Sequence, residues 1–246
     1  MVIGSFLLIG QSHPQSRHEP VEKQTSHSFT NQNSDWKKVK FPGIKATEFT
    51  MSKAGRIDLF MDQSSGLLFR PLTKAEQNCS SLEWQWKVDQ NFPPVALSDK
   101  DKGDRPVAVH VWFPKGKGDK TNGLKNFVGR LLGYKIPGRV VSYVWGGTGL
   151  QGEVIENPHF EKKGYFIILR SGNFNNKSWV NEQVDFRRDY EKIFNAPAPM
   201  PTHVAISGDS DNSGAVARAS VRKLKFSNRE PSPKTPNPQK PNKKTC

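Results

Sequence analysis

The chain has 246 residues, 34% hydrophobic side chains and a formal net charge of +14, which suits one good-sized domain with polar ends. Its apolar N-terminal run, Val2–Gly10, is far short of the about 20 residues a bilayer-crossing helix needs, so no transmembrane span is expected. Two cysteines, Cys79 and Cys246, exclude a disulfide scaffold and a cysteine-ligated zinc site. The charge admits polyanions as partners without choosing among nucleic acid, acidic glycan and membrane surface.

Residues 1–34 read as a signal remnant followed by a disordered linker. Met1–Gly10 has the apolar character of a secretory h-region, although a basic n-region and an A-x-A cleavage site are missing. Gln11–Asn33 is rich in Ser, Gln, His and Glu and lacks periodicity. At the other end, residues 227–246 carry five prolines, five basic residues and no large apolar side chain. That composition predicts a solvated, extended tail. Such a tail seldom fixes the geometry that a Cys79–Cys246 bridge would require.

Between these ends, residues 35–226 show apolar side chains at period two or in short runs. The pattern predicts strands at Lys45–Met51, Arg56–Met61, Gly66–Leu72, Ser81–Asp89, Pro106–Phe113, Arg139–Trp145, Gly164–Ser171, Ser178–Phe186, Thr202–Ser207 and Val216–Phe226. Gly, Pro, Asn and Asp punctuate the gaps. Helical spacing is confined to Arg188–Phe194 and Gly123–Leu132. Many short strands without alternating helices give an all-β fold, a sandwich in preference to a barrel.

Alternation also assigns faces. Leu82, Trp84, Trp86 and Val88 share one side of their strand, so both tryptophans are read as core. Val107, Val109, Val111 and Phe113 oppose Ala108, His110 and Trp112, and Val140 and Val144 oppose Val141, Tyr143 and Trp145. If the strands are neighbours, Glu83, Gln85, Lys87, His110, Trp112, Tyr143, Trp145 and Arg170 form one polar-aromatic surface. Aromatic rings beside charged and amide groups suit a sugar, whose C–H faces stack while its hydroxyls hydrogen-bond. An ordinary solvated face under a loop explains the same residues.

Two further clusters stand out. Asp209, Asp211 and Asn212, with Asp185 and Asp189 upstream, offer oxygen ligands for a structural calcium ion, but the Gly and distal Glu of an EF-hand loop are missing. Asx turns and helix caps account for these residues without metal. No other cofactor is expected. Pro114–Arg139 holds seven basic residues against one acidic, yet lacks the G-x-x-x-x-G-K-[ST] order of a phosphate loop.

Several motifs together carry a resemblance. Ser81–Asp89 (SLEWQWKVD), the apolar strand ending at Phe113, Ser142–Trp145 (SYVW) and Leu169–Gly172 (LRSG) come first. Trp179, Arg187–Tyr190 (RRDY) with Phe194, and Asp209–Asn212 (DSDN) follow in order. The chain from Trp36 to Phe226 thus resembles the bacterial family catalogued as domain of unknown function 3047. The resemblance implies an exported protein, periplasmic or secreted, with a jelly-roll-like antiparallel β-sandwich and one or two short helices. It supplies no activity and no catalytic residue. The chain departs from the family pattern at Gly103–Pro106, where more acidic residues are the rule, and in Pro114–Arg139, which reads as an insertion.

Three functions remain open on the residues. The first is non-catalytic binding of a glycan or cell-envelope polymer by a monomer, nucleic acid being a poor fit. The second is a polysaccharide-active enzyme, a lyase or glycosidase, drawing on His110 with Tyr143 or on Glu83 with another carboxylate. The third is attachment to an anionic polymer through Lys115, Lys117, Lys120 and Lys125.

Overall fold

A computed structural model describes residues 35–116, 137–171 and 177–228. In chain order the elements are β1 (Lys37–Val39), β2 (Lys45–Ala46), β3 (Glu48–Met51), β4 (Ile57–Asp62), β5 (Ser64–Pro71) and α1 (Lys74–Gln77). Next come β6 (Ser81–Gln90), β7 (Arg105–Phe113), β8 (Arg139–Trp145), β9 (Val154–Glu156), β10 (Gly164–Arg170) and β11 (Val180–Asp185). The last are α2 (Phe186–Phe194), β12 (His203–Asp209) and β13 (Val216–Ser227).

The strands form two facing sheets, a jelly-roll-like β-sandwich. The larger has eight strands in the order β1-β5-β12-β7-β8-β10-β9, with β2 attached to β5; the smaller has five in the order β11-β6-β13-β4-β3. Pairing is antiparallel except for β8–β10 and β2–β5. Every strand read from alternation is present, the first of them broken at Thr47 into β2 and β3. The short edge strands β1 and β9 and the single-turn α1 escaped that reading. A three- or four-residue element carries too few side chains to show a period, although the capping box Thr73-Lys74-Ala75-Glu76 marks α1 in the sequence.

The main core fills the space between the sheets. From the smaller sheet come Leu82, Trp84, Trp86 and Val88, and from the larger Val107, Val109, Val111, Phe113, Val141, Tyr143 and Trp145. The aromatic rings interlock across the gap: Trp86 meets Trp145 edge-on at 5.6 Å, and Trp84 lies 5.7 Å from Tyr143. The α2 helix closes one end. Asp185 caps it by accepting from the Arg188 N–H, and its Phe186 and Tyr190 enter the core, with Tyr190 4.5 Å from Phe113.

Several sequence expectations fall outside the described residues. These are the segment 1–34, the helical reading of Gly123–Leu132, the residues Lys117, Lys120 and Lys125, and Cys246. Of the described helices, neither is long and apolar enough to cross a membrane.

Candidate functional site

Adjacent strands in register place their side chains on a common face, and this separates the predicted ligand surface into four locations. On β7 and β8, Val109 pairs with Tyr143 and Val107 with Trp145, whereas His110 pairs with Ser142. Tyr143 and Trp145 therefore belong to the main core, 0% and 1% exposed, and cannot share a surface with His110 and Trp112 on the opposite face of the same sheet. Gln85, Lys87 and Glu83 lie on the outer face of the other sheet, where Gln85 pairs with Arg222 and Asn181. Arg170 donates from Nε to Glu182 at 2.7 Å. The single polar-aromatic face read from the sequence does not exist. Period two tells which residues of one strand point together, but not which side of the next strand joins them.

The catalytic pairings fail for the same reason. His110 and Tyr143 are on opposite faces of the eight-stranded sheet, and Glu83 is on the far side of the sandwich. Tyr143 instead donates its hydroxyl to Asp189 of α2 at 2.8 Å. Burial first, then the nearby Asp189 carboxylate, holds its pKa well above the ordinary phenol value.

The outer face of the eight-stranded sheet carries a cleft of about 420 Å³, within the size range of ligand sites. Two small apolar clusters bank it. One contains Leu67, Phe69, Trp112, Val140 and Phe160, with Phe41 against it; the other contains Leu97, Val144, Phe166 and Ile168. Between them runs a polar strip across three neighbouring strands, Ser207 on β12, His110 on β7 and Ser142 on β8. Each ring nitrogen of His110 is bonded to a serine hydroxyl at 2.8 Å, Nδ1 to Ser142 and Nε2 to Ser207. Burial, reinforced by the positive charge of Arg105, lowers the His110 pKa to about 3. The ring is thus neutral at physiological pH.

Trp112 takes part in the cleft differently from the expectation. It is 2% exposed, stacked on Phe69 at 5.1 Å and tilted against His203 at 5.3 Å. It backs the wall and offers no open ring for stacking.

One end of the strip is acidic. Asp104, Asp209 and Asp211 bring carboxylate oxygens within 4.8 Å of one another. Arg105 Nη1 stands 3.4 Å from Asp209 Oδ2. Burial and a hydrogen bond with Asp211 push the Asp209 pKa well above the usual carboxylate value, against the pull of Arg105. Asp104 is itself fully buried and accepts the backbone N–H groups of Asn212 (3.2 Å) and Ser213 (2.6 Å). The predicted calcium set is thus rearranged. Asp104, far away in sequence, joins Asp209 and Asp211, while Asn212 serves Asp104 through its backbone. Asp185 and Asp189 are elsewhere, engaged as the α2 cap and the Tyr143 acceptor.

Lys115, the described member of the basic-loop expectation, is exposed just after β7. No neighbouring residue pattern in the sequence signalled Arg105, Asp104, Ser142 or Ser207 as site residues. Small hydroxyls and a loop carboxylate gain meaning only from the strand pairing.

Three solved structures are similar in overall shape at low sequence identity. The xyloglucanase domain of NopAA, a type three effector from Sinorhizobium fredii, is 11% identical with a TM-score of 0.44, over 80% of this chain and 94% of that one. A family 11 carbohydrate-binding module of the cellulosomal cellulase Lic26A-Cel5E of Clostridium thermocellum is 8% identical with a TM-score of 0.39, over 81% and 91%. The endoglucanase cel12A from Rhodothermus marinus is 11% identical with a TM-score of 0.43, over 78% and 92%. No curated protein matches the sequence. A family model does, over residues 34–225: the chain belongs to the DUF3047 family, described as a protein of unknown function.

Proposed function

We propose that the cleft on the outer face of the eight-stranded sheet binds a short stretch of a glycan chain without cleaving it. The observation that carries this reading is the polar strip Ser207–His110–Ser142 lying between two apolar banks. Such a floor meets hydroxyls while the banks meet the C–H faces of sugar rings. Both ring nitrogens of the neutral His110 are taken by Ser142 and Ser207, so the ring orients the two serine hydroxyls, whose remaining hydrogen-bonding capacity is what meets a sugar hydroxyl.

Charge narrows the ligand. The cleft is lined by the carboxylates of Asp101, Glu161, Asp209 and Asp211 against the cations Lys100 and Arg105. With Asp209 held toward its neutral form by burial, the remaining charges nearly balance; despite the basic chain, this groove has no pull on an anion, and the ligand is an uncharged glycan. Hydrolysis is disfavoured at the acidic end. Asp104, Asp209 and Asp211 crowd their carboxylate oxygens within 4.8 Å of one another, whereas a glycosidase needs its two carboxyls on either side of the scissile bond, about 5–9.5 Å apart.

The test is a screen of the full chain on arrayed neutral and acidic oligosaccharides, followed by calorimetry and product analysis on every hit. A neutral glycan should bind, without release of reducing ends, and Phe160→Ala and Asp211→Asn should each weaken it at least about tenfold. The reading falls if no glycan is retained, if both variants bind like the parent, or if the bound glycan is cleaved.

A further inference from the structure

On the opposite side of the sandwich, the outer face of the five-stranded sheet, we infer a second, independent binding site: two ring-mounted arginines on β13 that take the carboxylates of an acidic polysaccharide. Arg222 lies on the ring of Trp179 at 3.8 Å, and its Nε donates to Gln85 Oε1 at 2.7 Å. Gln85 is fixed in turn by donating to Asn181 Oδ1 at 2.6 Å. Both terminal nitrogens of Arg222 are left without an acceptor among the described residues. Arg218, directly opposite Phe60 on β4, holds its guanidinium 4.1 Å above that ring and has no acceptor among them at all.

A guanidinium immobilised on an aromatic face loses little further freedom on binding, and its planar fork matches a carboxylate in two-point contact. The negative face of each ring attracts the cation and holds it in place. The two forks are four residues apart on the central strand, about 13 Å at about 3.3 Å per residue. Between and beside them, carboxylates are already spent: Asp58 on Arg56 and Ser220, and Asp89 on Lys87.

The covered rings of this face select the kind of polyanion. A single-stranded nucleic acid binds by stacking its bases on open aromatic rings, and the rings here, Phe60 and Trp179, already lie under Arg218 and Arg222. A chain of uronic acid residues, with carboxylates that can turn toward the forks and hydroxyls that tolerate the intervening acids, fits better. The site differs from the cleft in location, residues and ligand charge, so each can fail without the other.

The experiment is affinity electrophoresis of the full chain in gels holding polygalacturonate, its fully methyl-esterified form, or oligodeoxythymidylate. Retardation by polygalacturonate alone is expected, declining with salt. The double variant Arg218→Gln/Arg222→Gln should weaken it at least about tenfold, and Trp179→Leu should weaken it by loss of the platform. Phe160→Ala, and the equal charge loss Lys240→Gln/Lys243→Gln, should leave it unchanged. The inference is overturned by absence of retardation, by equal retardation with oligodeoxythymidylate, or by equal losses in the two double variants.

Discussion

The indole Nε1 of Trp86 donates to Glu182 Oε1 at 3.1 Å, tying a fully buried core ring to a carboxylate on the neighbouring strand. The same oxygen accepts from Arg170 Nε at 2.7 Å, so one acid on β11 links the two sheets. Glu182→Ala would leave the indole donor without its acceptor and Arg170 without its partner. Because Arg170 remains 37% exposed, solvent recovers part of that cost. The expected loss is about 2 kcal/mol, within the range for an orphaned buried donor and a broken charged hydrogen bond. Glu182→Gln should lose about half as much. Urea unfolding of the two variants reads the difference.

Tyr143→Phe removes the hydroxyl that holds α2 through Asp189 and leaves the ring packed against Trp84. It should cost about 1–2 kcal/mol, the price of a hydrogen bond to a charged acceptor, and leave cleft binding unchanged. Thermal unfolding beside glycan calorimetry checks both halves. A loss of binding without a loss of stability would return Tyr143 to the ligand site.

His110 makes stability depend on pH. In the unfolded chain its imidazole takes a proton near pH 6.5, whereas in the folded protein burial delays this to about pH 3. Above pH 6.5 both forms are neutral and the group has no effect. As pH falls below 6.5 the unfolded chain binds the proton first, so stability drops until about pH 3, by up to about 1.4 kcal/mol per unit. In His110→Gln this contribution is gone. The stability difference between parent and variant, followed by urea midpoints from pH 7.5 to 4, should shift toward the variant as the solution becomes more acidic. A difference that stays constant contradicts the assignment.

Asp104 pins the turn after β12 by accepting two backbone N–H groups, and that turn carries Asp211 into the cleft. Asp104→Ala should destabilise by about 2 kcal/mol, as expected for lost hydrogen bonds to a charged acceptor, and weaken glycan binding with it. Asp104→Asn keeps the acceptor oxygen and should be milder on both counts. Parallel unfolding and calorimetry separate the two effects.

Strand positions were legible because β6 and β7 alternate so regularly that Trp84 and Trp86 could be assigned to the core from sequence alone. Sidedness between strands was not. On β8, Val140 and Val144 oppose Val141, Tyr143 and Trp145, so both sides are apolar or aromatic, and only the pairing of Val109 with Tyr143 shows which side faces inward. The larger side chains fill the gap between the sheets, and the smaller ones, with Ser142, face the cleft. The acidic end was half legible. Asp209 and Asp211 stand together in the sequence, but Asp104 reaches them across more than a hundred residues.

β12 lies between β5 and β7, and β13 between β4 and β6. During synthesis, both sheets therefore wait for their middle strands until nearly all of residues 35–227 have left the ribosome. Until then β5, β7, β4 and β6 each expose an unpaired edge, ready to join with another chain. A nascent chain stalled before His203 is consequently a sticky, half-open sandwich, and holding it apart from its neighbours becomes a task for the cell's chaperones.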